Sequence, residues 1–147
     1  MLTRNRRRKL KIPLKNLREL GACSGGIETL RLAYPSSRKE ITPDVIDSLL
    51  SLPGLGATLG YIDWYAFMVA DRLTGETGYE ITPEISLWLH LGCAIRELRA
   101  MMQWPPKLRT TIREITRSVL LAFLKEYNAL EYNGTKGDLN QNAQQAS

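Results

Sequence analysis

The chain has 147 residues, and the 44% that are hydrophobic suffice for the buried core of a single domain. Two cysteines and one histidine are too few for a disulfide scaffold or a Cys/His zinc site. No apolar run approaches the roughly 20 residues of a membrane span. The 20 basic side chains outnumber the 15 acidic ones, but eight of them precede Glu19, the first acidic residue. The rest of the chain therefore has 12 basic and 15 acidic side chains, a net charge of about −3.

The eight basic residues of the N-terminal end are Arg4, Arg6, Arg7, Arg8, Lys9, Lys11, Lys15 and Arg18. Residues 1–13 form the basic arm. Residues 1–11 have almost nothing to bury, so we expect the arm to be disordered without a partner. Arginine binds phosphate through two parallel hydrogen bonds, and Arg-rich segments often fold on RNA. The arm therefore predicts binding to nucleic acid, either RNA or DNA. An acidic protein surface, an anionic membrane, a targeting address and a solubilising tail remain as alternatives.

The first two predicted helices are short. Leu14, Leu17 and Leu20 recur every three residues and stop at Gly21, which is a typical helix end. Ser24 is the predicted cap of the second helix, and Pro35 is its predicted end.

The third and fifth helices share one start signal. Thr42-Pro43 and Thr82-Pro83 each place a capping hydroxyl before a proline at the first helical position. Few residues match beyond these starts, so repeated capping chemistry explains the similarity better than duplication. The third helix ends at Pro53-Gly54. The inner face of the fifth is predicted to contain Ile85, Trp88, Leu91, Ile95, Leu98 and Met102.

The fourth helix is predicted from about Thr58 to Leu73, stopping near Gly75. Its apolar face is predicted to contain Tyr61, Trp64, Tyr65, Met68 and Val69. Core packing is the simpler explanation of the aromatic cluster formed by Tyr61, Trp64, Tyr65 and Phe67. The alternative is that part of the cluster is an exposed anchor for a protein partner.

Pro105-Pro106 precedes the last helix. Its predicted inner stripe is Leu108, Ile112, Ile115, Val119, Ala122 or Phe123, Tyr127 and Leu130. Arg109, Arg113 and Arg117 lie four residues apart and are predicted to form a stripe opposite that face. They are candidate phosphate ligands if they continue the positive surface of the arm, and otherwise a solvated helix face.

These elements predict an all-α protein, a compact bundle of about six helices. The helical domain is assigned to residues 14–132. Residues 133–147 are rich in Asn, Gln, Gly, Ala and Ser and are expected to form a disordered tail.

Other residues with chemical potential have simpler explanations. Gly54, Gly56 and Gly60 lack the preceding strand and the Lys of a phosphate-binding loop, so they indicate a flexible loop between helices. His90 is expected to be a half-buried structural residue. Cys23 and Cys93 are expected to be small buried groups in a reducing compartment. We therefore assign no catalytic residue, metal ligand or cofactor.

Two dipeptides carry a resemblance. Ala22-Cys23 opens a short helix with Ile27 and Leu30 behind it, and Asp63-Trp64 opens an aromatic and aliphatic helix. Gly92-Cys93-Ala94 adds a later Cys-Ala segment. In these features residues 17–73 resemble small phage and bacterial proteins, most of them without an assigned function. The resemblance implies a phage or prophage source; the Arg-rich arm and the arginines of the last helix are not part of it.

The sequence thus predicts a non-enzymatic accessory protein of the cytoplasm, in the host cell if phage-encoded, that binds nucleic acid through its arm. The alternative is a module that binds and modulates a host macromolecular machine. A homo-oligomer is compatible with either function.

Overall fold

The computed structural model describes residues 9–34 and 40–130, and these residues form six α-helices. They are α1 (Leu14–Glu19), α2 (Ser24–Ala33), α3 (Pro43–Ser51), α4 (Leu55–Glu76), α5 (Pro83–Ala100) and α6 (Arg109–Ala129). Two short 3-10 turns, Met101–Gln103 and Pro106–Leu108, connect α5 to α6. The described residues contain no β-strand, and the all-α prediction is confirmed. Arm residues 1–8, the predicted helix end at Pro35 and the predicted tail lie outside the described residues.

Local capping chemistry sets the starts of α2, α3 and α5. The hydroxyl of Thr42 accepts a hydrogen bond from the Val45 N–H at 3.3 Å, and that of Thr82 accepts one from the Ile85 N–H at 3.2 Å. Both predicted starts are therefore confirmed. The start of α2 differs by one residue from the prediction. Cys23 is the cap, since its Sγ accepts from the Gly26 N–H at 3.4 Å, and Ser24 is already helical.

The core lies where α4, α5 and α6 meet around Trp88, which is 2% exposed. The Trp88 ring centroid is 4.7 Å from that of Phe123, 5.7 Å from that of Tyr65 and 5.9 Å from that of Tyr127. Edge and tilted contacts of this kind stabilise a core beyond the burial of apolar area alone. The predicted inner face of α5 is confirmed from Ile85 to Leu98.

The inner face of α6 is rotated relative to the prediction. Its buried residues are Ile112, Thr116, Leu120, Phe123, Leu124 and Tyr127. Ile115, predicted to be internal, is 41% exposed, and Ala122 is also exposed. Thr116 takes the inner position because its hydroxyl donates to the Ile112 carbonyl at 2.7 Å, which satisfies it without water. A hydropathy pattern ranks threonine as polar and so misses this register.

Helix α4 begins at Leu55, after Gly54 in the left-handed conformation (φ +79°). Gly56 and Gly60 are thus helical, and the predicted glycine loop is wrong. The buried side of α4 is formed by Leu55, Thr58, Leu59, Tyr65, Ala66, Val69, Ala70 and Leu73. Tyr61, Trp64 and Met68, predicted to be internal, are only half-buried.

The N-terminal segment enters the core ahead of α1. Leu10 is 5% exposed, and its carbonyl accepts a hydrogen bond from the Ile41 N–H at 2.7 Å. Lys11 forms an isolated antiparallel bridge with Glu40. Leu10 and Ile12 also line an apolar cavity of about 110 Å³. The expectation that residues 1–11 have almost nothing to bury is therefore wrong for Leu10. The cause is a pairing with residues 40–41, which no local pattern indicates.

No helix within residues 9–34 and 40–130 combines the length and the apolar character needed to cross a bilayer.

Candidate functional site

The N-terminal segment, residues 4–18, contains all eight basic residues that precede Glu19. The four of them that the structure describes face solvent. Lys9, Lys11, Lys15 and Arg18 are exposed. Lys15 and Arg18 are three residues apart on α1 and so share one face, while Leu17 is buried beneath them. The side chains of Lys11, Lys15 and Arg18 form no ion pair with residues that the structure describes. The positive charges of the four described residues are thus presented outward. Arg4, Arg6, Arg7 and Arg8 lie outside the described residues.

The arginines of α6 do not form the predicted free stripe. Arg113 Nε donates to the Leu50 carbonyl at 2.8 Å, at the end of α3. Arg117 bonds to both oxygens of Asp47, at 2.6 and 3.4 Å. The hydrogen bond from Arg117 holds the pKa of Asp47 below its usual range. Two of the three arginines therefore fasten α6 to α3, and the prediction that they lie opposite the packed face is wrong. Only Arg109 remains exposed without such a contact among the described residues.

The α6 arginines and the arm meet α3 at opposite ends. Lys11 pairs with Glu40, just before α3 begins, whereas Arg113 reaches the last turn of the same helix. The part of α3 from Pro43 to Leu50, which lies between these points, alone spans about 10 Å. The negative carboxylate of Asp47 lies on α3 between them. Among the described residues, Lys11 and Arg113 therefore contact opposite ends of α3.

A second charged cluster, absent from the sequence prediction, lies between α4 and α5. The Asp63 side chain is only 5% exposed, and its Oδ2 is 3.8 Å from Arg96 Nε and 3.6 Å from Arg99 Nη1. Both distances exceed those of a well-formed hydrogen bond, and Oδ2 accepts none from the described residues. The side chains of Arg96 and Arg99 are themselves 64% and 56% exposed. We call Asp63, Arg96 and Arg99 the arginine shelf.

Aromatic and glycine residues hold the arginine shelf in place. Arg96 Cζ lies 4.3 Å from the centroid of the Phe67 ring, a cation–π contact. Phe67 in turn packs on Gly92, where an added Cβ would meet ring carbons at 2.7–3.0 Å. Arg99 lies against Gly60, where an added Cβ would stand 3.2 Å from its Cζ. The absence of a side chain at these two positions therefore lets each partner approach the helix backbone closely.

The shelf forms one wall of a groove of about 610 Å³. The other walls come from the end of α1, the start of α2 and the outer side of α4, and include Leu17, Gly21, Ala22, Cys23, Ala57, Tyr61, Trp64 and Met68. The Ala22-Cys23 and Asp63-Trp64 dipeptides, 41 positions apart, thus line one groove. Sequence reasoning missed it because the spacing of Arg96 and Arg99 indicates an ordinary solvated helix face.

The remaining candidates are more exposed than predicted. Cys23 and Cys93 are both exposed free thiols, so the expectation that they are buried is wrong. His90, expected to be half-buried, is exposed beside a shallow depression lined by Pro83, Ser86 and Glu126. Within residues 9–34 and 40–130, no three His, Cys, Asp or Glu side chains are grouped so that they could hold a metal ion.

Comparisons with protein-family models, with curated proteins and with solved structures find no match to this chain.

Proposed function

We propose that the protein binds nucleic acid, without catalysis, through the phosphate groups that its basic N-terminal segment contacts. The observation that carries the proposal is the separation of charge. Eight basic residues precede Glu19, whereas the rest of the chain has a net charge of about −3. Such a segment attracts a polyanion, whereas the negative net charge of the body repels it and so opposes the wrapping of nucleic acid around the body. The segment is therefore the contact and the helical body is its support.

The anchoring of the segment supports this function. Leu10 is buried and its carbonyl is hydrogen-bonded to Ile41, so Lys9 and Lys11, on either side of it, are attached to a fixed point on the body. Lys15 and Arg18 extend the charge along the exposed face of α1. A cation that is already positioned loses less conformational entropy when it meets a phosphate. Arg113 and Arg117 are not part of this interface, because Leu50 and Asp47 already bind them.

The source and the compartment also belong to the proposal. The resemblance of residues 17–73 to small phage and bacterial proteins supports a phage or prophage origin, with action in the cytoplasm of the host.

The test replaces charge and leaves the chain length unchanged. One variant changes Arg4, Arg6, Arg7 and Arg8 to Gln, and another changes Lys15 and Arg18 to Gln. Deleting residues 1–11 would also remove Leu10, so loss of binding could then reflect an altered core. The matched control removes four exposed charges elsewhere, at Arg31, Arg72, Lys107 and Lys125.

Binding is measured with labelled duplex DNA and structured RNA at two salt concentrations. About six phosphate contacts would lower the affinity roughly a thousandfold when the salt concentration rises about fourfold. We expect the four-Arg variant to lose most of the affinity and the salt dependence, and the matched control to retain both. Equal losses in the variant and the control, or no salt-sensitive binding by the unchanged protein, would refute the proposal.

A further inference from the structure

We propose that the groove beside the arginine shelf binds an acidic peptide segment of a partner protein. A carboxylate of the peptide bridges Arg96 and Arg99, and an apolar side chain next to it packs against Trp64 and Met68. This inference is independent of nucleic-acid binding by the N-terminal segment.

The charges of the shelf favour an anionic ligand. Two guanidiniums share one carboxylate oxygen, that of Asp63, so the cluster keeps a net positive charge. Each guanidinium carries several N–H donors, and the distances to Asp63 leave most of them without a close acceptor in the cluster. A carboxylate accepts two parallel hydrogen bonds from one guanidinium or one from each of two. The exposed edges of Arg96 and Arg99 therefore fit a carboxylate.

The shelf is also arranged in advance of binding. Phe67 packs against one face of the Arg96 guanidinium, and Gly60 lies against Arg99. The buried carboxylate of Asp63 attracts both guanidiniums. Exposed arginines normally lose rotamer freedom on binding, which weakens the complex. These two side chains have lost part of it in the free protein, so a ligand carboxylate meets donors that are already in position.

The rest of the groove is lined mainly by apolar side chains, so a ligand that fills it needs an apolar group as well as a negative charge. Ala57, Trp64 and Met68 from α4 face Leu17 and Ala22 across it. A free inorganic anion would leave these side chains in water, whereas a peptide with an aliphatic or aromatic residue beside its carboxylate would cover them. Half-buried Trp and Met beside an Arg are also a composition typical of protein-binding surfaces.

The aromatic residues of the groove favour a peptide over a nucleic acid. Bases stack on free aromatic faces, but one face of Phe67 is covered by Arg96. Tyr61 packs against Gly25 and Gly26, where added Cβ atoms would meet its ring and hydroxyl at 2.6–3.7 Å. Trp64 is then the ring left for stacking. Because Asp63 offsets one of the two arginines, the cluster keeps a single net positive charge, which matches one carboxylate better than a row of phosphates.

The test selects short random peptides from a display library on the full-length protein, after removing those that bind an Arg96→Gln/Arg99→Gln double variant. We expect enrichment of peptides in which Asp or Glu neighbours a large apolar residue. A synthetic peptide of the selected sequence should bind about tenfold or more weakly when its acid is changed to the amide. It should also bind as weakly to the double variant, as measured by fluorescence polarisation.

Three further variants distinguish binding at this groove from general effects of a substitution on the protein. Arg72→Gln removes an exposed arginine of α4 that pairs with Glu76 and should leave peptide affinity unchanged. Arg96→Lys/Arg99→Lys keeps the charge but not the planar donors and should recover part of the affinity. Gly60→Ala keeps both arginines, displaces Arg99 and should weaken binding.

Some results would overturn the inference. They are no enrichment relative to the double variant, selected peptides without an acidic residue, and peptide affinity lost equally in Arg72→Gln. An oligonucleotide such as single-stranded poly-dT that binds the protein and loses affinity in the double variant would assign the groove to nucleic acid instead. Loss of oligonucleotide binding in the N-terminal variants alone concerns the separate proposal and leaves this one standing.

Discussion

The phenol of Tyr65 donates a hydrogen bond to Asn16 Oδ1 at 2.9 Å and thereby fastens α1 to α4. Tyr65 is 8% exposed, and this burial raises the pKa of its phenol far above the usual value. The six residues of α1 are too few to form a stable helix alone, so their position depends on tertiary contacts. This hydrogen bond and buried Leu17 therefore decide where the basic face of Lys15 and Arg18 points.

Tyr65→Phe should remove this bond and leave the ring in the core. We expect a loss of about 1 kcal/mol in the free energy of unfolding, because the Asn16 oxygen keeps no equivalent donor. Denaturation by urea, followed by circular dichroism, measures it. Tyr79→Phe is the matched control, since Tyr79 is 83% exposed and its change should have no measurable effect. Equal effects of the two substitutions would show that the Asn16 bond contributes nothing.

Arg117→Gln should raise the pKa of Asp47 toward its usual value of 3.8. In the folded protein Arg117 stabilises the carboxylate form of Asp47, so the folded pKa lies below the unfolded one. The pair then stabilises the fold above the unfolded pKa, and this contribution is lost as the pH falls through the folded pKa. Titration of the side-chain carboxyl carbon by NMR measures the pKa. An Asp47 pKa that is the same in both proteins would contradict the contact.

Two glycines within helices should respond to alanine in opposite directions. An added Cβ at Gly75 meets no atom within 4 Å, so Gly75→Ala should stabilise the protein by about 0.5–1 kcal/mol through reduced backbone entropy of the unfolded chain. An added Cβ at Gly92 would overlap the Phe67 ring, and the cost of displacing that ring should exceed the gain in helix propensity by about 1 kcal/mol. The midpoint temperatures of thermal unfolding of the two variants, compared with that of the unchanged protein, measure both effects. Stabilisation by Gly92→Ala would mean that Phe67 moves aside freely.

Leu10→Ala should cost about 3 kcal/mol in the free energy of unfolding, although the residue lies within the basic arm. The substitution would enlarge the apolar cavity that Leu10 already lines. Leu32→Ala removes the same atoms from a site that is 62% exposed and should change stability by less than about 0.5 kcal/mol. Chemical denaturation of both variants measures the difference. A Leu10→Ala protein as stable as the Leu32→Ala protein would show that the segment before α1 is not part of the core.

The starts of α3 and α5 are predictable from the sequence because the chemistry that sets them is local. Thr42 and Thr82 each cap the N–H three residues ahead, and a proline follows each of them, wherever the helix later packs. The inner face of α5 also follows from its apolar spacing alone. The face of α6 does not, because Thr116 satisfies its own hydroxyl and takes a core position that hydropathy assigns to its neighbour.

Tertiary structure decides which residues of two identical local motifs become buried. Ile41 and Ile81 occupy the same place in two Glu-Ile-Thr-Pro segments, yet Ile41 is 8% exposed and Ile81 is 56% exposed. Among the described residues, the Ile41 N–H donates a backbone hydrogen bond to the carbonyl of Leu10, and the Ile81 N–H has no such distant backbone partner. The arginine shelf arises in the same way, because the packing of α5 on α4 brings Arg96 and Arg99 to Asp63. Periodicity gives the faces of a helix, whereas the pairing of those faces depends on the packing of the whole core, and the candidate groove is a product of that pairing.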